Sequence, residues 1–451
     1  MPANVVRFAV AMSVALAALV TLPSAAVALS QDPDTSTWMA NGKVLASARY
    51  GNVMFIGGTF KKLRESLDPG PASGPSITGL TGLAAIDMTT GAGIASFTPE
   101  LGAVGDQQVS VDALAVQGDT LYVGGQFGTV DGQPRMNLAA IDLDPGTMTG
   151  TVDPGFDPVV GTTGGSLANF RVLSILTGPD SLYISGGFSK VDGKGRNKIA
   201  KLNYDGVVDA TFRPAATNGA VRDLAWSSDG ATIFAGGNFT TLSGAARLSI
   251  GRVDAATGAA NAWAVPSGEI PSSGGQQICW DILVTATRLF AGCGKGPNFV
   301  GAFRVDTGDI GSRTWQYRTG GNVNTVALLP GGDGLVFGGH FGINSTSTYN
   351  GLMPVCSFTR YLRALGILRN INQTSTSSVV TSGVPSATTA YLDCSFTPNY
   401  EGTQPQGPNF EGTNRHGGVW DLIVTDQHIW ALGEQKYINT TVRRAIARFP
   451  L

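Results

Sequence analysis

Leu121-Tyr-Val-Gly-Gly-Gln-Phe127 decides the reading of this chain, because variants of it recur along the sequence. They are Met54-Phe-Ile-Gly-Gly-Thr-Phe60, Leu182-Tyr-Ile-Ser-Gly-Gly-Phe188, Ile233-Phe-Ala-Gly-Gly-Asn-Phe239 and Leu335-Val-Phe-Gly-Gly-His-Phe341. Two weaker copies, Leu289-Phe-Ala-Gly-Cys293 and Ile429-Trp-Ala-Leu-Gly433, bring the total to seven. Repetition at a period of roughly fifty residues implies a solenoid or a propeller, in which each unit hides its apolar face only against a neighbour.

Around each copy the same four-strand grammar can be read. In the second, strand A is Val111 to Val116, a Gly118-Asp119 turn follows, strand B is the quoted stretch, and strand C is Leu138 to Asp142. A turn at Asp144-Pro-Gly146 then leads to a strand D marked by Phe156 near Pro158. Strand A opens at Val44, Val111, Val172, Val221, Cys279, Val323 and Val419, and the strand D aromatics are Phe97, Phe156, Phe212, Trp263, Trp315 and Phe396. Apolar residues alternate within these segments, as half-buried strands require. The Gly-Gly pair ends strand B without opening a helix, and no phosphate-binding loop pattern occurs. The pair is read as a place where backbones approach closely.

The expected architecture is all-β: a single seven-bladed β-propeller over 29–451, with a Ser/Thr-rich insertion at about 359–390 in the sixth copy. Tyr361-Leu-Arg-Ala-Leu-Gly-Ile-Leu368 reads as the short helix that begins this insertion. The last copy has no strand D before Leu451. The segment around Trp38 is therefore expected to supply that outer strand, so that the two ends close the ring and remove an open sheet edge.

Composition bounds the function. A net charge of -2 gives no reason to expect nucleic acid as a partner. Arg7, the apolar run Phe8 to Val20, Pro23 and the small residues Ala26-Val27-Ala28 read as a secretory signal over 1–28. No later run is long enough to span a bilayer, so the mature protein is expected to be extracellular, without a transmembrane segment, and monomeric.

The pattern of strand A, Gly-Asp, Leu-Tyr-Val-Gly-Gly, then Val-x-Gly, Arg and Leu-Ala-x-Ile-Asp resembles the delta-60 repeat β-propeller family of bacterial secreted proteins. The best-matching copies are 111–158, 172–214 and 221–266, and the similarity covers most of the mature chain. It is distantly kelch-like, but the kelch Tyr-to-Trp spacing is absent. Cys293, the Lys295-Gly-Pro loop and Leu432 depart from the pattern. What this resemblance implies is a fold, with no catalytic residue to carry over.

Four cysteines in an exported chain suggest two disulfides. Cys279 and Cys293 stand opposite each other in the fifth hairpin, and Cys356 and Cys394 are expected to join neighbouring strands of the sixth copy. No zinc or nucleophile-elbow signature occurs, so no cofactor or metal is implied. His340 and His416 could share a rim but are read as polar loop residues. Arg135, Arg196, Arg247 and Arg443 each precede strand C by three residues. One per copy favours a structural clamp over a ring of cations for an acidic or sugar ligand. Asp223, Asp281 and Asp421 occupy one offset in strand A and could approach the central channel; Asp112 falls one position earlier. The long B–C and D–A connections should emerge on one face. The sequence is therefore read as a binding module for an extracellular protein, a glycan or a small ligand. The alternative is a carbohydrate-active hydrolase or lyase with carboxylates in the channel.

Overall fold

Seven antiparallel hairpins follow one another in the computed structural model. It describes residues 30, 32–65, 74–161, 170–271, 277–306, 308, 310–319, 321–340, 342–343, 361–362, 365–369, 371, 391–392, 418–434, 437–438, 441–442 and 445–451. The inner strands are Val44–Tyr50, Ser110–Gln117, Val172–Thr177, Val221–Trp226, Ile278–Val284, Asn322–Leu328 and Val419–Val424. The second strands are Val53–Gly58, Thr120–Gln126, Leu182–Gly186, Thr232–Gly237, Arg288–Gly294, Gly334–His340 and His428–Gly433. A third strand pairs with each, from Leu83–Asp87 in the first sheet to Ile446–Pro450 in the last. Among the described residues there is no helix.

In all seven hairpins the register slips at the same point, one residue after the first residue of the repeated strand A. The bulged residues are Leu45, Asp112, Leu173, Arg222, Trp280, Asn324 and Trp420. A bulge bends its strand and re-aims the side chain it carries. The inner strand of each hairpin packs against the next, and Val419–Val424 packs against Val44–Tyr50.

The core is divided rather than continuous. One apolar cluster fills each junction between successive sheets, starting with Phe55, Leu83, Val111 and Val123 between the first two. The last and first sheets share another, with Val44, Met54, Trp430, Leu432 and Ile446. The two glycines of the repeat act at different places here. A Cβ on the first would meet a side chain of the following inner strand: 2.6 Å from Val172 Cγ1 at Gly124, and 2.6 Å from Val419 Cγ1 at Gly338. A Cβ on the second would strike a carbonyl of its own inner strand, Ser110 at Gly125 and Asn322 at Gly339. The pair thus permits both contact between sheets and the bulged turn within one.

The four-strand grammar is met in the second, fifth and sixth sheets, but in the first, third and fourth a single bridge stands in for the fourth strand, Ile86 with Gly93, Leu202 with Val208 and Val253 with Ala260. Two further expectations need correction. Tyr361 to Leu368 is not a helix: Leu365–Arg369 is the third strand of the sixth sheet, pairing with Gly334 to Gly338. Leu365, Ile367 and Leu368 are fully buried on both faces, and such a continuous apolar run has no period of two to betray a strand. The extra length of the sixth copy is consequently divided between the connections on either side of this strand. Secondly, no strand from the N-terminal segment pairs with Ile446–Pro450 among the described residues. Met39–Ala40 pairs instead with Lys62–Arg64 in the first copy. The backbone bond from Asp34 N–H to Arg448 O, at 2.7 Å, joins that segment to the last strand.

Arg448 strengthens this junction. Its side chain is 5% exposed. It donates to the carbonyls of Met88 and Thr89, both at 3.0 Å, to Ser36 Oγ at 3.0 Å, and to the Asp34 carboxylate. Burial pushes Asp34 up, but the Ser36 amide and hydroxyl and Arg448 hold it below the usual carboxylate range. Arg448→Met keeps the stem and strands four acceptors. Urea unfolding should show a loss of about 3 kcal/mol, and a loss under about 0.5 kcal/mol would remove the clamp from the account.

Candidate functional site: the inner strands and their rim

The offset shared by Asp223, Asp281 and Asp421 lies one residue beyond the bulge, on the face where the inner strands converge. An innermost strand is an edge whose outward N–H groups lack a ladder partner. The carboxylates serve those groups on the next sheet. Asp223 Oδ2 accepts from Ile282 N at 3.0 Å, and Asp281 Oδ2 accepts from Val326 N at 2.7 Å. Asp421 Oδ2 accepts from Ser47 Oγ at 2.5 Å, which links the last sheet to the first. Ser174 Oγ donates to Asp223 Oδ1 at 3.0 Å, and Asn324 Nδ2 donates to Val419 O at 3.1 Å. Polar bridges therefore run from the third copy round to the first.

These carboxylates keep some water contact but have protein on every side. Burial is the largest influence on each. It pushes Asp421 up to about 6 against the hydrogen bonds from Ser47 and Leu422. Asp281 is pushed well above its ordinary value by burial and then by the charge of Asp223, with which it shares a hydrogen bond. Asp223 is raised by burial too, against several hydrogen bonds that favour its anion. Burial and their mutual charge thus favour the neutral form of these two neighbouring acids.

The bulged residues themselves, one position earlier, form a rim. Arg222 lies over Trp280, its guanidinium carbon 4.0 Å from the ring centroid. Trp280 meets Trp420 edge to face at 6.0 Å, and Lys43 Nζ stands 6.0 Å from the Trp420 ring. Lys43 pairs with Glu434 at 2.6 Å. On the other side Asp112 Oδ1 takes Arg171 at 3.2 Å and Ser110 Oγ at 3.0 Å. Arg222 belongs to the fourth hairpin, yet it responds electrostatically to Asp112 of the second. Burial pushes Arg222 down to about 10; Asp112 opposes that shift and Arg171 adds to it. Burial also raises Asp112, against the pull of Arg171 and Ser110.

The remaining sequence-derived residues lie elsewhere. Arg135 donates to Pro134 O at 2.6 Å and Asp153 O at 2.7 Å. Arg196 donates to Gly195 O at 2.7 Å and Asp209 O at 2.6 Å. Arg247 reaches Asn261 O at 2.7 Å and Trp263 O at 3.2 Å. Each guanidinium ties the connection before the third strand to the segment entering the outer aromatic. His340 is exposed at the end of its strand, where it pairs with Asn322. Cys279 and Cys293 form a disulfide across the fifth hairpin, with Cα atoms 4.0 Å apart. Cys279 takes the place of the usual valine and Cys293 that of the second glycine. Arg443, His416, Cys356 and Cys394 lie outside the described residues. No group of three metal-binding side chains is found among the described residues. Nor is any helix there long and apolar enough to cross a membrane.

Arg222, Trp280 and Trp420 were missed by sequence reasoning, although all three stand directly after the residue opening strand A. Only the bulge turns that offset into a position on the rim.

Sheets stacked through apolar junctions, with a bulged inner strand in each, define an all-β, propeller-like protein. Residues 179–212 match the family model described as "Domain of unknown function (DUF5122) beta-propeller". No curated protein matches. Among solved structures, the chain is similar to the WD40 β-propeller domain of Doa1, with 11% identity, 93% of this chain and 97% of that one covered, and a TM-score of 0.45. It is also similar to the computationally designed Ika8 protein, at 12% identity, 93% and 100% coverage and a TM-score of 0.44. Sqt1 from Chaetomium thermophilum, bound to the N-terminus of the ribosomal protein L10, gives 13%, 93%, 99% and 0.47.

Proposed function

We propose that the chain is an exported, monomeric, seven-bladed β-propeller that acts as a binding module through the rim bearing Arg222, Trp280 and Trp420. Seven like-bulged hairpins support the blade count, and the Asp421–Ser47 bond, the Arg448 clamp and the shared apolar cluster of the last and first sheets support closure. Residues 1–28 are the leader, and 29–451 the mature propeller of the delta-60 repeat type.

The observation that carries the binding reading is the rim itself. Two indoles and three cations stand at or beside the bulged starts of the inner strands, on a scaffold whose strands fix them. Aromatic and arginine side chains on a rigid frame are the usual anchors of interfaces. The partner is an extracellular protein, glycan or small ligand. A glycan array and a secreted-protein screen on residues 29–451 should yield a ligand whose binding falls about tenfold or more in Trp420→Ala. Binding that ignores Trp420 and is instead lost on altering the opposite face, at Gly118 and Asp119, would end this reading.

A second reading, a hydrolase using the inner carboxylates, has one point in its favour: burial raises Asp223, Asp281 and Asp421 above the ordinary carboxylate range, as a general acid requires. Asp223 and Asp281, however, already accept amides of neighbouring strands. Direct contact also leaves no room for the separation of about 5 Å or more that glycoside hydrolysis requires. The binding reading is preferred.

A further inference from the structure

The rim also states the chemistry of its ligand. Among the described residues the Arg222 guanidinium forms no hydrogen bond and no ion pair; it only lies on Trp280. Its Nε is enclosed without a partner. A desolvated guanidinium presents five donors in a planar fork, a geometry made for a carboxylate. Asp112 Oδ2 and Asn324 Oδ1 are likewise enclosed and accept nothing among the described residues, and Asn324 is 4% exposed. Trp280 Nε1 is a further unanswered donor.

Asn324 is the bulged residue of the hairpin between those of Trp280 and Trp420, but its amide is buried, with Nδ2 donating to Val419 O. Asp112 lies within electrostatic reach of Arg222. What a ligand can reach is thus one fork for an anion beside an indole wall.

We infer that the rim binds an acidic saccharide, with the carboxylate of a uronic-acid residue on Arg222 and its C–H face against Trp280 and Trp420. This rests on the binding reading above and narrows it to one ligand class. A uronate carries a carboxylate and an apolar C–H face on a single rigid ring, so one residue can meet the Arg222 fork and the indoles together. An acidic peptide offers its carboxylates on flexible stems without that rigid apolar face. The Arg222 cation persists across the physiological range even when pushed down to about 10.

The test uses the mature chain and calorimetry with three probes: tri-galacturonate, the same trisaccharide with its carboxylates reduced to alcohols, and a glutamate-rich hexapeptide. The acid should bind about tenfold or more tightly than its reduced form. Arg222→Met, which keeps the stem over Trp280, should lose about tenfold against the acid and under about twofold against the reduced sugar. Arg222→Lys should recover only part of the loss, because a point charge cannot bind bidentately. An unchanged melting temperature confirms that each variant is folded.

Equal affinity for the two sugars, no binding of the acid at millimolar concentration, or preference for the peptide would overturn the inference. If Arg222→Met still holds a partner that Trp420→Ala loses, the binding reading survives and the acidic-sugar assignment alone fails.

Discussion

Gly125→Ala is expected to cost about 3 kcal/mol or more and to lower the melting temperature by about 5 °C or more, while Gly118→Ala loses about 1 kcal/mol. The two positions lie seven residues apart in the same hairpin and differ in kind. Gly118 turns the chain with φ +57°, and an added Cβ there would meet nothing within 4 Å. Its penalty is conformational only. At Gly125 the new Cβ would be driven into the carbonyl of Ser110, a backbone atom one residue before Val111, where the bulged strand turns inward. The carbonyl cannot yield without undoing the bulge, and the bulge places Asp112 on the rim. Thermal unfolding of the two variants beside the parent chain measures the difference. Equal losses would show that the repeated glycines are chosen for flexibility and not for close approach.

That contrast also explains what the sequence makes legible. The second strands end in the Gly-Gly pair and the third strands show clear apolar runs, so their positions are readable from residues alone in every copy but the sixth, whose third strand is Leu365–Arg369. The long connections between them are less so. They fold back as two-residue ladders, Thr129–Val130 with Gln133–Pro134, Lys190–Val191 with Lys194–Gly195, and Thr241–Leu242 with Ala245–Ala246. Asp131-Gly132 and Asp192-Gly193 take left-handed φ values of 48° and 73°, and 50° and 71°, at these turns. Asp-Gly is a hairpin signal, but strands of two residues are too short to show alternation. The rim is hidden for another reason. Asp112 and Asp223 differ by one position in the repeat, and in an unbulged strand that would put them on opposite faces. With the bulge they mark two successive levels of one inner surface. Nothing in the residue types announces the extra residue. The N-terminal segment misled for a simpler reason: Trp38 joins the apolar cluster shared by the first and last sheets through side-chain packing and not through a ladder.

Asp281→Asn should make the protein more stable above neutral pH and no more stable in acid. In the folded state Asp281 is held well above the usual carboxylate range by burial and by Asp223, and Asp421 is pushed up to about 6. A raised value means that the folded chain binds protons which the unfolded chain releases. The stability these groups confer is complete below about pH 4, and it is lost as pH rises through 6 and beyond. For Asp421 alone, a rise from 3.8 to about 6 corresponds to about 3 kcal/mol between those limits. The groups that face Asp281 are Asp223, Asp421 and the amide of Val326. None is a cation that could neutralise it. An asparagine reproduces the protonated acid: its oxygen can accept the Val326 amide while its NH2 donates to the Asp223 carboxylate. Urea unfolding at pH 5 and pH 8 should therefore show a parent chain that weakens across the interval and a variant that weakens less, with the curves crossing near the acid end. The predicted sign follows only if the carboxylates are neutral links between sheets. If they are ionised groups kept for catalysis or for a bound cation, the variant gains nothing at pH 8, and a hydrolase assay on the same protein becomes the decisive measurement.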